Sequence, residues 1–188
     1  MLIALGLLVA VAGAWAWVAD AAFPLERNES VAFSGPSHER DSIVSYQAQR
    51  FGMDPKLAIA ISHAENWGGD SAAVHPRSGA VGIMQVMPFW ADSFRTECGI
   101  EPLTNRISNA CRGVLISMKY FKDCGDWDCA LQYYVGAVCT KRDGPWRCEQ
   151  KQKTGERYVH AVLRNLHRTD LSVNRDAVAM GGWRRDSM

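Results

Sequence analysis

At 188 residues the chain suits one domain with a sizeable core plus terminal extras. Its 21 Lys and Arg against 20 Asp and Glu exclude the basic footprint of a nucleic-acid-binding protein. No basic run suggests an anionic membrane surface either.

The N-terminus carries the first signal. Residues 2–18, "LIALGLLVAVAGAWAWV", contain no charge and match the apolar region of a secretory signal. Ala19-Asp20-Ala21 follows as a small-x-small cleavage pattern. The positively charged start is missing, and the stretch is near the lower limit for spanning a bilayer. Cleavage near Ala21 and an uncleaved membrane anchor are therefore the two readings of residues 1–21. Both put the rest of the chain outside the cytoplasm, in the periplasm, with membrane contact only through this segment.

Residues 22–40 are polar and turn-rich and are expected to be a linker. From Asp41 the spacing turns helical, with Ile43, Tyr46, Gln47 and Arg50 near one stripe and Gly52 as the stop. Asp54 followed by Pro55 predicts an N-cap with proline in the first turn. The helix "PKLAIAISHAE" is apolar nearly all round between Leu57 and Ile61, so it belongs in the domain centre. Gly68 and Gly69 are expected to end it. A shorter helix is expected within residues 79–94, with Pro88 as a break. Helical spacing returns in residues 109–124, again after an Asp126 cap, and last in residues 154–168. Residues 169–188 are polar, contain Gly181-Gly182, and are expected to fray. Alternating strand patterns are nearly absent, so the class is all-α with at most a minor hairpin.

Six cysteines (Cys98, Cys111, Cys124, Cys129, Cys139, Cys148) are an even number in an exported chain and predict disulfides. Short loops favour Cys124–Cys129 and Cys139–Cys148, which leaves Cys98–Cys111, one arrangement among the fifteen that six cysteines allow. No C-x-x-C pair exists and the spacings do not suit a zinc module. His63-Ala64-Glu65 has the H-x-E letters of a zinc deaminase, but the P-C-x-x-C pair that would hold the metal is lacking. His63, His160 and His167 are expected as surface histidines, and no metal or cofactor is expected.

Glu65 is the candidate for chemistry. It follows Ala58 and Ile61 on one helical face, so its carboxyl leaves from an apolar surface. It sits in the last turn, where the helix dipole disfavours a negative charge. Desolvation and dipole both favour the protonated form, and a neutral carboxylic acid near pH 7 is what a general acid needs. An ordinary solvated glutamate closing a helix is the alternative. The downstream block "SGAVGIMQVMP" tips the balance. Gly79 and Gly82 let backbone pass close to something, and Gln85 can donate and accept in a groove.

"AISHAEN" followed by "SGAVGIMQVMP" resembles the signature of the soluble lytic transglycosylase-like (SLT) domains, which have a goose-type lysozyme fold. "SNACRGVLISMKYF", with Asn109 at its polar position, resembles the asparagine-led helix of that family. "ALQYYVG" resembles its A-Y-N-A-G motif, with Tyr133 on the tyrosine and Gly136 on the glycine. "GERYVHAVL" resembles the closing helix, with Tyr158 on the tyrosine. The resemblance covers residues 42–166, most of an expected domain of residues 41–168. Asn66 stands where a serine usually follows the catalytic glutamate, and Tyr134 stands on the asparagine of A-Y-N.

The resemblance implies cleavage of the bond between N-acetylmuramic acid and N-acetylglucosamine in peptidoglycan, with Glu65 as acid and then base and a 1,6-anhydro sugar as product. Asn66, Met84, Gln85, Tyr133 and Tyr158 are the residues expected to bind substrate, with Met84 and Gln85 flooring the groove. Asp70 and Asp92 are expected to be loop or cap residues rather than a second catalytic acid. The partners implied are glycan strands and, for exported domains of this kind, subunits of a secretion, conjugation or pilus machine. A hydrolytic muramidase and a non-catalytic peptidoglycan-binding subunit are the alternatives; Asn66 and Tyr134 are what favour the second.

Overall fold

The computed structural model describes residues 36–180. The apolar segment of residues 1–21, most of the expected linker and residues 181–188 lie outside the described residues.

Helix α1 spans Pro36–Arg50. It begins ahead of Asp41, because Pro36 starts a helix well: its missing N–H is not needed in the first turn. Its inward stripe is Arg40, Val44, Gln47 and Ala48, all buried, whereas Tyr46 and Arg50 face solvent. Of the expected stripe of Ile43, Tyr46, Gln47 and Arg50, Gln47 faces inward, while the stripe as a whole lies one position out of phase; Arg40 belongs to the fold rather than to a linker.

Helix α2, Pro55–Glu65, forms as expected, with the Asp54 side chain accepting from the Lys56 N–H at 2.9 Å and proline in the first turn. Leu57, Ala58, Ala60, Ile61 and Ser62 are all buried. The helix stops at Asn66, ahead of the two glycines, and Gly69 then reverses the chain with φ +67°.

Residues 80–87 do not form the expected helix. Val81 bridges antiparallel to both Val74 and Val86, and Val81 and Val86 exchange backbone hydrogen bonds of 3.0 and 2.9 Å. Positive φ at Gly82 (+83°) and Gln85 (+45°) is incompatible with a right-handed helix. This small hairpin ends in a single 3₁₀ turn, Pro88–Trp90.

A short α3 (Arg95–Cys98) leads to α4, Arg106–Cys124, capped by Asn105, whose side chain accepts from the Ser108 N–H at 3.0 Å. Helix α5, Trp127–Tyr134, is capped by Asp126 through the Cys129 N–H at 2.8 Å. Helix α6, Pro145–Met180, starts earlier than residue 154 and continues past Thr169, so the tail is helical where it is described. Pro145 again supplies the favourable start.

Helix α2 is the axis, packed between α1 and α6, while α4 packs on α1 and α5. The core joins Val44, Ala58, Ile61, Ile83, Met84, Val114, Leu131 and Val162. Burying each of the larger aliphatic side chains contributes roughly 1.5–3 kcal/mol. The cysteines pair as Cys98–Cys111, Cys124–Cys129 and Cys139–Cys148, the arrangement that short loops favour. Among the described residues no helix is long and apolar enough to cross a membrane.

Candidate active site

Glu65 ends α2 with its carboxyl at the wall of a groove of about 470 Å³. Glu65 as a residue is half-buried, and its carboxyl is largely enclosed by protein. Burial therefore pushes its pKa up from 4.5 to about 7. The Tyr158 hydroxyl, on α6, donates to Oε1 at 2.5 Å and draws the value back toward the ionised form. Tyr134, on α5, lines the same groove and donates to the Met84 carbonyl at 2.7 Å. Burial first, and the Glu65 charge second, push both tyrosine hydroxyls well above their ordinary range. Both remain neutral donors at any pH where the acid works.

The chain between α2 and Pro88 is laid against Glu65 by two asparagines. Asn66 donates to the carbonyls of Asp70 (2.7 Å) and Gly82 (3.2 Å) and accepts from the Gly69 N–H (3.1 Å). Asn109, fully buried on α4, donates to the carbonyls of Val81 (2.8 Å) and Leu103 (2.9 Å) and accepts from the Met84 N–H (2.9 Å). Gly82 must be glycine here, because a Cβ would stand 2.4 Å from Asn109 Nδ2. These contacts turn Gln85 into the groove beside Glu65. Its Nε2 is held by the Gly82 carbonyl at 2.9 Å, which leaves Oε1 as the group it can offer.

Aromatic rings also line the groove. Phe89 and Trp90 have ring centroids 5.5 Å apart, Tyr120 meets Trp90 edge-on at 6.3 Å, and Tyr133 stacks on Tyr120 at 5.6 Å. Such faces suit the apolar sides of sugar rings. Among the described residues Glu65 is the one carboxylate that lines this groove.

The structure thus brings Glu65, Gln85 and Tyr133 together in the groove and separates three expected residues from its lining: Tyr158, which is buried and meets the Glu65 carboxyl rather than the groove, Met84 and Asn66. Met84 is wholly inside the core against Gly113, where a Cβ would lie 2.6 Å from its own. The left-handed turn at Gln85 sends the two neighbours to different environments, so Met84 does not floor the groove. Asn66 braces loops. Asp70 caps its own turn through the Ala72 N–H at 2.8 Å, and the exposed Asp92 pairs with Arg95. His160 and His167 are exposed, but His63 is not a surface histidine: it is mostly buried beside Asp41 and Arg40.

Sequence reasoning missed Tyr120, Phe89 and Trp90 as groove residues, and it undervalued Tyr134. Tyr120 lies three helical turns beyond Asn109, a spacing that could have placed it on the same face. Nothing in the spacing singles out Phe89 or Trp90, because the 3₁₀ turn that presents them depends on the hairpin before it.

The family model of the transglycosylase SLT domain matches residues 42–155. Neither the curated proteins nor the solved structures hold a match to the chain. The family match spans more than half of the chain and takes in the Glu65 helix, the Gln85 hairpin and the tyrosines of α5 on one lysozyme-like helical fold; the chain belongs to the transglycosylase SLT family.

Proposed function

We propose that the chain is a peptidoglycan lytic transglycosylase that cleaves the β-1,4 bond between N-acetylmuramic acid and N-acetylglucosamine through Glu65. Family membership supports lytic action on peptidoglycan in general. The observation that carries the finer reading is a single carboxyl group with its pKa raised to about 7, in a groove that no second carboxylate lines among the described residues.

Protonated Glu65 gives its proton to the glycosidic oxygen as the bond to the muramyl C1 breaks, and the N-acetylglucosamine end departs with that proton. The carboxylate left behind takes the proton of the muramyl C6 hydroxyl, whose oxygen closes onto C1 as a 1,6-anhydro ring. Atoms balance without water, and the acid returns to its starting form. A hydrolase of the inverting kind would instead need a second acid roughly 6.5–9.5 Å away to activate water. Tyr158 holds the carboxyl in line and stabilises its ionised form between the two proton transfers. The aromatic wall and Gln85 hold the strand. Positioned acid–base catalysis of this kind contributes about 10²–10⁴-fold.

The disulfides and the apolar N-terminal sequence support a periplasmic protein. There it would open the wall locally for an envelope-spanning secretion, conjugation or pilus machine. Mass spectrometry of digested sacculi tests the chemistry. Wild type is expected to release muropeptides with anhydro ends, and Glu65→Gln none. Reducing ends in place of anhydro ends would make the enzyme a muramidase. A fully active Gln variant would remove Glu65 from the mechanism.

A further inference from the structure

We propose that Arg40, with Asp41 and His63, is a positioning device for Glu65: a buried guanidinium from α1 fixes the chain reversal that begins where the catalytic helix ends. The proposal rests on the reading of Glu65 as the acid. Arg40 and Asp41 precede residues 42–155, the span matched by the family model, whereas their partners His63, Asn66 and Trp67 lie inside it.

The side chain of Arg40 is 1% exposed. Its Nη1 donates to the carbonyls of Asn66 at 2.9 Å and Trp67 at 3.1 Å, the two residues that directly follow Glu65. A helix C-terminus leaves its last carbonyls without partners inside the helix, and a cation there is favourable. Arg40 supplies both the donors and the charge. Its Nε donates to Asp41 Oδ1 at 2.9 Å, and its Nη2 meets His63 Nε2. His63 lies in the last turn of α2, so the same guanidinium holds that turn from before Glu65 and from after it. The His63 Nε2 also lies 2.9 Å from Asp41 Oδ1, so this nitrogen accepts from Arg40 when it is unprotonated and donates to Asp41 when it carries a proton.

The charges are arranged to remain. Burial opposes ionisation of Asp41, but hydrogen bonding and charge from His63 and then from Arg40 hold its carboxyl below the usual range. A buried guanidinium without a carboxylate would be costly. Trp67 adds a ring edge to His63 at a centroid distance of 5.2 Å, and Arg168 of α6 stands over Trp67 at 5.9 Å. The end of α2 is therefore tied to both helices that flank it. Only a forked, planar donor reaches two carbonyls, a carboxylate and an imidazole together, so lysine cannot replace it.

The consequence for Glu65 is geometric. If the reversal after it loosens, the carboxyl moves off its apolar wall, admits water, and loses alignment with the glycosidic oxygen. The titratable groups around it from other elements, Tyr158 on α6, Tyr133 and Tyr134 on α5, Tyr120 on α4 and His75 from the loop after α2, are not touched by the change.

The test compares wild type, Arg40→Lys, Asp41→Asn and Glu65→Gln on purified peptidoglycan, with kcat, KM, pH profile and Tm for each. Arg40→Lys is expected to lose about ten- to a hundredfold in kcat with KM held within about twofold. The alkaline limb of its pH profile is expected to fall by about one pH unit as Glu65 becomes better hydrated. A merely structural role would change Tm and the yield of folded protein without moving that limb. Asp41→Asn keeps the guanidinium and tests the device should Arg40→Lys not fold; the limb is expected to move the same way with a smaller loss of kcat. A folded variant with the wild-type kcat and limb, set against an inactive Glu65→Gln, overturns the proposal alone. An active Glu65→Gln overturns the reading of Glu65 first.

Discussion

Glu65 is kept proton-bearing at a cost to the fold that can be measured. Its carboxyl has a pKa of about 7 when folded against 4.5 when free. Between those values the native chain holds a proton that the unfolded chain has released, so stability falls as pH rises through this window and stays lower above it. The gap corresponds to about 3 kcal/mol, at about 1.4 kcal/mol per pH unit. Glu65→Gln removes the titration and keeps an oxygen for the Tyr158 hydroxyl. The variant is therefore expected to be more stable than wild type by about 2–3 kcal/mol at pH 8 and to differ little at pH 4. Denaturant unfolding at the two pH values measures this, and an equal difference at both would mean that the carboxyl is not desolvated. Tyr158→Phe acts in the opposite sense on the ionised form. Without the donor at 2.5 Å, the pKa of Glu65 rises further and the alkaline limb of the pH–rate profile shifts upward. The rate falls because the carboxylate formed in mid-reaction has lost its partner. A shift to lower pH would contradict the hydrogen bond. The acid itself was legible from its place on an apolar face at a helix end. Which of two adjacent tyrosines turns toward it was not, because Tyr133 and Tyr134 differ only in helix phase, and that phase is set by how α5 docks.

At the scale of elements, the hairpin of residues 80–87 decides where the groove lies. Its shape rests on the fit between Gly82 and Asn109. An alanine at Gly82 would meet Asn109 Nδ2 at 2.4 Å in a backbone with φ +83°, whereas an alanine methyl at Gly52, with φ +73°, would meet nothing within 4 Å. Gly52→Ala is expected to cost about 1–2 kcal/mol, from conformation alone. Gly82→Ala is expected to cost on the order of 3 kcal/mol or more, because the Asn109 side chain must also give up bonds to buried backbone. Muropeptide release should survive the first change and be lost in the second, which displaces Gln85. Equal stability losses would show that Asn109 yields freely. This element was also the one that hydropathy misread. Ile83, Met84, Val86 and Met87 are as apolar as a short helix, and period alone does not separate a helix from a tight hairpin in so short a run. The long-range hydrogen bonds of Asn66 and Asn109 to this hairpin decide it, and none of them is written in the local pattern. By contrast α2 and α5 follow from Asp54 and Asp126, whose caps act over two or three residues, while α4 follows from its helical spacing and starts three residues earlier than residue 109 because Asn105 caps it.

For the whole molecule, the three bridges lie on the side of α4, α5 and the start of α6, and none of them involves the Glu65 helix, which packs between α1 and α6. Helix α5 presents Tyr133 and Tyr134 to the groove, and it is bracketed by Cys124–Cys129 at its start and Cys139–Cys148 just beyond its end. The short-loop pairing could be favoured from the sequence because it is local. The reach of α6 back across α2, where Asn165 donates to the Ala60 carbonyl at 3.3 Å, depends on the complete fold. Replacing Cys124 and Cys129 together with serine removes a short loop whose closure stabilises the fold by about 2 kcal/mol in the chain-entropy account. For a chain of this length that is a drop of about 4–8 °C in Tm. Because α2, α6 and the Tyr158–Glu65 contact do not depend on this bridge, the alkaline limb of the pH profile should stay in place. The loss should instead fall on KM, through a less ordered Tyr133 wall. Thermal unfolding, together with kcat and KM measured well below Tm, distinguishes the two halves of the molecule. A shifted limb in the folded double variant would mean that the disulfide lobe sets the environment of the acid as well as the grip on the glycan.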